Sequence, residues 1–197
     1  MDGKRAILDA VRRHAPPVAP LGDVAGEWIR YSDPRQQFAT ILESVGGRCQ
    51  VVRQVDEVGR ELANLPAYQE AKAICSWVPG VEGNVDLAAI ADPHELATID
   101  FAILPGQFAV AENGAVWVTD ESLPHRVIYF ISQHLALVVP ARTVLNNLHE
   151  AYERLSFARP GFGAFISGPS KTADIEQSLV IGAHGARSLT VFLIDEA

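Results

Sequence analysis

The chain has 197 residues, of which 48% are hydrophobic, and its formal net charge is −8. This length and composition predict a folded protein with one well-buried core. The acidic balance, without any Lys/Arg-rich run, argues against nucleic acid as a partner, and no apolar run reaches the length of a membrane span. The N-terminus lacks the apolar region of a secretory signal, so we expect a cytoplasmic location.

The N-terminal segment is predicted to stand apart from the main core. Ile7, Leu8 and Val11 form a short apolar stripe that predicts a helix over residues 4–14. The proline-rich stretch that follows cannot continue a helix and favours an extended linker. We therefore expect an N-terminal helix and linker over residues 1–22 and an α/β domain over residues 23–197.

Helical and strand-like segments alternate along the first half of the chain and again near its end, which favours a mainly parallel sheet covered by helices. The predicted elements are, in order, a helix from Asp33–Pro34 to Gly46–Gly47, a strand over 49–52, a helix over 56–65, strands over 72–77, 98–104, 108–111, 115–119, 127–131 and 135–139, a helix over 144–155, a strand over 164–166, a helix from Thr172 and a strand over 189–194. The last three predict a right-handed βαβ unit.

The most distinctive stretch, residues 167–177, reads Ser-Gly-Pro-Ser-Lys-Thr-Ala-Asp-Ile-Glu-Gln and lies between two apolar runs. Gly168 and Pro169 predict a turn, and Thr172 is a candidate helix N-cap with Asp174 and Glu176 in the first turn. A helix start presents free backbone N–H groups that favour anions, although these acids already occupy part of its positive end. The alternative is an ordinary capped strand-to-helix turn.

A second candidate site is the turn Glu112-Asn113-Gly114, since Asn-Gly favours positive φ. A carboxylate at a strand-to-turn boundary can be both rigid and exposed, which suits a nucleophile or a general base. A solvated hairpin turn is the alternative interpretation.

A possible second cluster consists of His184, Gly185 and Arg187, which could bind an acidic ligand. Alternatively, Gly182 ends a helix and these side chains satisfy its last carbonyls.

Cys49 and Cys75 are too few and too far apart for an iron–sulfur cluster or structural zinc, and no His, Cys, Asp or Glu set has metal-ligand spacing.

Residues 167–177, with Gly-Ala-His-Gly-Ala-Arg at 182–187, resemble the signature of the lactate utilization protein C family, also called the LUD domain. The resemblance implies a three-layer α/β/α fold similar to that of CoA transferases and ribose-5-phosphate isomerase. Residues 111–114 are similar to an A-E-T-G segment of that family, with Asn113 where Thr is usual. They also resemble the S-E-N-G segment of CoA transferases, whose Glu forms a thioester with CoA; here Ala111 replaces the Ser.

The resemblance implies an accessory subunit in bacterial oxidation of L-lactate to pyruvate. Such a subunit would bind a small anionic ligand and no cofactor of its own, with iron–sulfur clusters on partner subunits. Two alternatives stay open: a CoA-transferase-like enzyme on a small acid or CoA ester, with Glu112 as nucleophile, and a non-catalytic binding or assembly module. The expected ligand-binding residues are Asn113, Gly114, Ser167, Gly168, Pro169, Ser170, Lys171, Thr172, Asp174 and Glu176.

The order of strands and helices also predicts where the candidate residues lie. Ligands bind outside the carboxyl ends of parallel strands, so Ser167, Gly168, Ser170 and Thr172 are predicted to share a cleft with Glu112. A helix following Thr172 would carry residues 182–187 to the opposite end of the βαβ unit. The two signature segments are therefore not expected to form one pocket. His184 and Arg187 would reach the cleft only if that helix is short or a loop folds back, and otherwise they support structure or an interface.

Overall fold

The structure, a computed structural model, describes residues 3–17, 19, 26–121, 123–156, 161–173 and 179–195. Its α-helices are α1 Gly3–Arg13, α2 Pro34–Ser44, α3 Val55–Leu62, α4 Pro66–Glu70, α5 Ile128–Ile131 and α6 Leu148–Arg154. Its strands are β1 Arg48–Val52, β2 Ile74–Ser76, β3 Phe101–Pro105, β4 Phe108–Val110, β5 Ala115–Thr119, β6 His134–Pro140, β7 Val144–Leu145, β8 Gly163–Ile166, β9 Lys171–Ala173, β10 Leu179–Ile181 and β11 Ser188–Ile194. Short 3-10 helices cover Leu87–Ala89, Pro93–Thr98 and Ala141–Thr143.

A five-stranded sheet in the order β1-β11-β6-β3-β2 forms the centre of the fold, and all of its neighbouring strands run parallel. This confirms the predicted α/β class with a mainly parallel sheet. Side chains alternate between the two faces of a strand. Phe101 and Ile103 of β3 thus pack in one buried cluster with α3, whereas Ala102 and Leu104 pack in a second cluster with α2, β4 and β5.

A second sheet, in the order β7-β4-β5-β8, lies against the latter cluster. Here β4 pairs with β5 and β5 with β8 in antiparallel fashion, while β4 and β7 are parallel. Gly106 joins the two sheets at the end of β3. A Cβ there would lie 2.5 Å from Val116 Cγ1 and 2.7 Å from Val139 Cγ2, so the crossing needs glycine.

The predicted helix start at Thr172 is wrong, and so is the βαβ unit built on it. Residues 171–173 form β9, which pairs antiparallel with β10, so that Thr172 lies opposite Val180. In addition, β8 belongs to the second sheet and β11 to the parallel one. Asp174 and Glu176, placed in the expected first turn, lie outside the described residues.

Two further segments differ from prediction. The run over 127–131 contains the short helix α5 rather than a strand, because a brief, wholly apolar run fits either state. The helix predicted over 144–155 begins only at Leu148, since Val144 and Leu145 pair with β4. Asn147 caps α6 by accepting a hydrogen bond from the Glu150 backbone N–H.

The N-terminal helix α1 buries none of its side chains. The predicted boundary at residue 22 lies outside the described residues, so the division into 1–22 and 23–197 stays a prediction. Across the part of the chain that the structure describes, no helix combines the length and apolar character needed to cross a bilayer.

Candidate functional site

The two signature segments meet at one cavity of about 250 Å³. Ser167, Gly168, Pro169 and Ser170 line it from one segment, and His184, Gly185 and Ala186 line it from the other. The expectation that these segments lie at opposite ends of a unit is therefore wrong. The antiparallel strands β9 and β10 lie between the two sets of lining residues, and this pairing returns the chain to where it started.

Main-chain hydrogen bonds fix this juxtaposition. The Ser170 N–H donates to the Ala186 carbonyl at 2.8 Å, and the Gly182 N–H donates to the Ser170 carbonyl at 2.9 Å. Gly185 then lies against Ser170: a Cβ on Gly185 would be 3.0 Å from Ser170 Cβ and 3.2 Å from its Oγ. The absence of a side chain at Gly185 thus keeps the Ser170 side of the cavity open.

The polar groups of the cavity differ from those that the sequence predicts. The Ser170 N–H is already paired, and residues 171–173 form a strand rather than the first turn of a helix, so the expected cradle of free backbone N–H groups does not form around Ser170. What the cavity offers instead is the Ser170 hydroxyl, which has no hydrogen-bond partner within the described chain, and the exposed His184 imidazole. A hydroxyl and an imidazole can both donate to an anionic ligand.

The turn before Ser170 is held against the end of α2. Gly168 has φ of +71°, and a Cβ there would lie 2.8 Å from the Val45 carbonyl oxygen. Pro169 is buried, and a Cβ added to Gly46 would lie 3.5 Å from Pro169 Cγ. Gly168 therefore serves close main-chain approach and positive φ together, which no other residue combines as well.

The Glu112-Asn113-Gly114 turn lies beside this segment. The Ser167 hydroxyl donates to the Asn113 carbonyl at 2.8 Å. Gly114 has φ of +63°, which confirms the turn predicted from Asn-Gly. The Glu112 carboxylate, however, accepts a 2.8 Å hydrogen bond from the Leu148 N–H at the start of α6. Asn113 thus contacts the Ser167 segment, while the Glu112 carboxylate is bonded to the start of α6.

The predicted shared cleft is accordingly formed in part. Ser167, Gly168 and Ser170 line the cavity, whereas Glu112 and Thr172 do not. Thr172 is half-buried in β9 and the neighbouring Lys171 is exposed. The part that each predicted residue plays in binding or catalysis stays a prediction.

Arg187 does not line the cavity. A Cβ on Gly182 would be 2.5 Å from Arg187 Cγ, so the arginine stem covers this glycine, whose φ is +77°. Arg187 also acts on His134, the first residue of β6. Burial, and then the positive charge of Arg187, lower the pKa of His134, whose Nδ1 lies 2.8 Å from Ser188 Oγ.

Tyr129 and Phe130 of α5 complete one wall, together with Phe165 and Ile166 of β8. The sequence pattern does not identify these two α5 residues, because their apolar run predicts a strand. The Tyr129 hydroxyl lies 3.1 Å from the Pro105 carbonyl and 3.2 Å from the Thr119 carbonyl, and burial raises its pKa. It is therefore a neutral donor committed to the fold, and no local signal marks it as a cavity residue.

The two cysteines lie on opposite edges of the parallel sheet, Cys49 in β1 and Cys75 in β2. Burial raises the pKa of Cys49 to about 12 and that of Cys75 to about 11, so both thiols are protonated at neutral pH. Among the described residues, no group of three or more His, Cys, Asp or Glu side chains is arranged to hold a metal ion.

Comparison with known proteins places these features in a family. The family model of the LUD domain matches residues 82–194. Lactate utilization protein C of Geobacillus kaustophilus is 30% identical over 139 residues, which cover 66% of this chain and 53% of that protein. Lactate utilization protein C 1 of Bacillus mycoides is 28% identical over 103 residues, covering 49% and 44%. The matches thus span about half the length of these relatives.

A solved structure shares the fold. The crystal structure of a DUF162 family protein from Deinococcus radiodurans aligns with a TM-score of 0.64 at 18% identity, covering 83% of this chain and 97% of that one. Fold and cavity together define an α/β protein with a parallel central sheet and a small cavity built from two sequence motifs. The family model matches more than half of the residues of this chain, so the chain belongs to the LUD domain family.

Proposed function

We propose that this protein is an accessory subunit in the bacterial oxidation of L-lactate to pyruvate and that it acts with iron–sulfur partner proteins. Membership of the LUD domain family and the lactate utilization proteins among its relatives support this role. The observation that carries the proposal is the convergence of the two signature segments on one cavity. Segments that share a family signature and meet at a cavity are best explained by a common ligand.

The proposed ligand is a small anion. A cavity of about 250 Å³ lies below the usual range for drug-sized ligands, so a few heavy atoms fill it. The Ser170 hydroxyl and the His184 imidazole supply donors, while Phe130 and Phe165 supply an apolar wall. This combination suits a short organic acid with its charged end toward Ser170 and His184.

The iron–sulfur clusters are proposed to reside on partner chains. Cluster ligation needs several thiolates within one site. Cys49 and Cys75 lie on opposite sheet edges and have strongly raised pKa values, so they do not form such a set. Electron transfer then requires subunits that carry the clusters.

Co-purification tests the proposal directly. A tagged full chain, expressed in its native host during growth on L-lactate, should bring down cysteine-rich partners with the visible absorption of iron–sulfur clusters. Deleting its gene should impair growth on L-lactate but not on a sugar. A tagged chain that retains no iron–sulfur partner, together with normal growth of the deletion strain on L-lactate, overturns the proposal.

One observation favours a second candidate, an enzyme that uses Glu112 as a nucleophile on a CoA ester or small acid. The carboxylate is exposed, and the turn and the Leu148 N–H hold it in a fixed position. Incubation with a panel of acyl-CoA esters should then transfer CoA from the acyl group to Glu112 and release the acyl group as a carboxylate, giving a Glu112 thioester that hydroxylamine traps, and Glu112→Gln should give none. If parent and variant both lack an adduct but bind a small acid, the protein is a non-catalytic binding module.

A further inference from the structure

A second cavity, of about 380 Å³, lies at the carboxyl ends of three adjacent strands of the parallel sheet. Pro105, Pro140 and Ile194 end β3, β6 and β11, and all three line this cavity. Ligands of open α/β sheets bind outside the carboxyl ends of the strands. The first cavity, between Ser170 and His184, lies instead near the first residues of β6 and β11, where Leu135 and Leu189 line it.

Most of the wall of this second cavity is apolar. Pro105, Val138, Pro140 and Ile194 contribute this apolar part, and several of their main-chain carbonyls are already paired. The Val138 carbonyl accepts from the Gly106 N–H at 2.8 Å, and the Pro140 carbonyl accepts from Thr143 Oγ1 at 2.8 Å. Recognition of a polar ligand therefore depends on the charged side chains that line the cavity.

Two charged residues line it, Arg142 and Asp195. Arg142 follows β6, is exposed, and has no ion-pair or hydrogen-bond partner among the described residues. Asp195 follows β11, and its Oδ2 accepts a 2.7 Å hydrogen bond from Arg35. Its Oδ1 has no partner within the described chain. The two residues share a cavity without pairing with each other, so each can bind a complementary group.

We propose that this cavity binds a small carboxylate that carries a hydroxyl or amino group next to its carboxyl carbon. The guanidinium of Arg142 receives the carboxylate, because its N–H groups match the two oxygens. Asp195 Oδ1 accepts the hydrogen bond of the hydroxyl or amine. The remaining carbon atoms lie against Pro105, Val138 and Ile194. This site goes beyond the proposed role in lactate oxidation and does not rest on it.

Calorimetric titration of the full chain with L-lactate, L-alanine and propionate tests the site. These acids share a carbon skeleton and differ in the group next to the carboxyl carbon. We expect L-lactate and L-alanine to bind about fivefold or more tighter than propionate, as one additional hydrogen bond predicts. Arg142→Gln should weaken L-lactate binding about 10- to 100-fold, with Arg142→Lys in between.

A matched pair of variants isolates Asp195. Asp195→Asn removes the charge that faces the ligand but also breaks the ion pair with Arg35. Arg35→Gln breaks the same ion pair and keeps both Asp195 oxygens. We expect Asp195→Asn to reduce the preference for L-alanine over propionate, because the amino group of L-alanine loses its counter-charge, and Arg35→Gln to keep it. Circular dichroism of each variant checks that the fold is intact.

Gly59→Ala, which lines neither cavity and whose Cβ would meet nothing within 4 Å, should leave these affinities unchanged, whereas His184→Ala removes a group of the first cavity. The proposal is overturned if Arg142→Gln binds L-lactate as tightly as the parent, if none of the three acids binds at millimolar concentration, or if His184→Ala abolishes binding while Arg142→Gln does not. Such a failure leaves the co-purification result untouched, so the two proposals fail independently.

Discussion

The hydroxyl of Ser167 donates a hydrogen bond of 2.8 Å to the backbone carbonyl of Asn113, 54 residues earlier in the chain. This contact joins the end of β8 to the β4–β5 turn, and hence the signature segment to the Glu112 turn. Since β8 and β5 are already neighbours in the second sheet, the bond extends an antiparallel pairing beyond its last residue. It also sets the direction in which residues 168–170 enter the cavity.

Replacing Ser167 by Ala should destabilise the protein modestly. The lost hydrogen bond is exposed, so water can replace it, and we expect a loss of about 0.5–1 kcal/mol in the free energy of unfolding. Urea denaturation measures this loss. Ser156→Ala is the matched control, because the Ser156 hydroxyl is exposed and makes no hydrogen bond within the described chain. Equal denaturation midpoints for the two variants would show that the contact contributes nothing.

Gly114→Ala should be much more damaging. Gly114 has φ of +63°, and its added Cβ would lie 2.8 Å from Leu42 N and 3.0 Å from Leu42 Cα. The left-handed conformation alone costs about 1–2 kcal/mol for a residue with a Cβ, and the clash with main chain of α2 adds to it. Thermal denaturation should therefore show a clear loss of stability.

Gly59→Ala is the control for Gly114→Ala. Gly59 lies inside α3, and a Cβ there would meet nothing within 4 Å. Alanine in a helix interior is favoured over glycine by about 1 kcal/mol, so this variant should be more stable than the parent. A Gly114→Ala protein as stable as Gly59→Ala would contradict the described turn.

Glu112 is expected to have a measurable structural role. Glu112→Ala removes the acceptor of the Leu148 N–H at the start of α6 and should cost about 0.5–1.5 kcal/mol. Glu112→Gln keeps an acceptor oxygen and should stay within about 0.5 kcal/mol of the parent. Urea denaturation of the two variants checks this order. If both variants are equally destabilised, the charge rather than the hydrogen bond is what stabilises α6.

His134 predicts a pH dependence of stability. Burial and Arg187 lower its pKa below the usual 6.5, so the unfolded chain binds a proton more readily than the folded one. The stability that comes from neutral His134 is therefore complete above pH 6.5 and is lost as the pH falls below that value toward the lowered pKa. Urea midpoints measured between pH 8 and pH 5 report this loss.

Arg187→Gln tests the cause of that shift. Without the positive charge of Arg187, protonated His134 is less disfavoured in the folded state, so stability should fall less steeply with decreasing pH. His134→Asn should remove this contribution altogether. An Arg187→Gln protein whose stability falls as steeply as that of the parent would show that burial alone sets the pKa.

Sequence reasoning succeeded where local signals and burial agree. Asp33 and Pro34 mark the start of α2, and the Asp33 side chain does accept from the Arg35 and Gln36 backbone N–H groups. The Asn-Gly turn and the apolar run after it predict the bounds of β5 correctly. In these places the capping, turn and pattern preferences all favour one structure.

The candidate site was harder to predict because distant pairing decides it. Thr172 and the acids after it have the composition of a helix start, yet Lys171–Ala173 pairs with Leu179–Ile181. The bond between the Ser170 N–H and the Ala186 carbonyl, which closes the cavity, leaves no trace in local sequence. Arg142 did carry a usable signal, since it follows a strongly apolar strand at the edge where ligands bind.

Growth on L-lactate measures the central claim, that the cavity between the two signature segments serves lactate oxidation. A strain lacking the gene should regain growth on L-lactate with the parent protein and with Gly59→Ala. It should not regain growth with Gly185→Ala, whose Cβ would lie 3.0 Å from Ser170 Cβ, or with Ser170→Ala, which removes the cavity hydroxyl without crowding. Immunoblots verify equal protein levels. Full growth with both cavity variants, or normal growth of the deletion strain on L-lactate, would contradict the account.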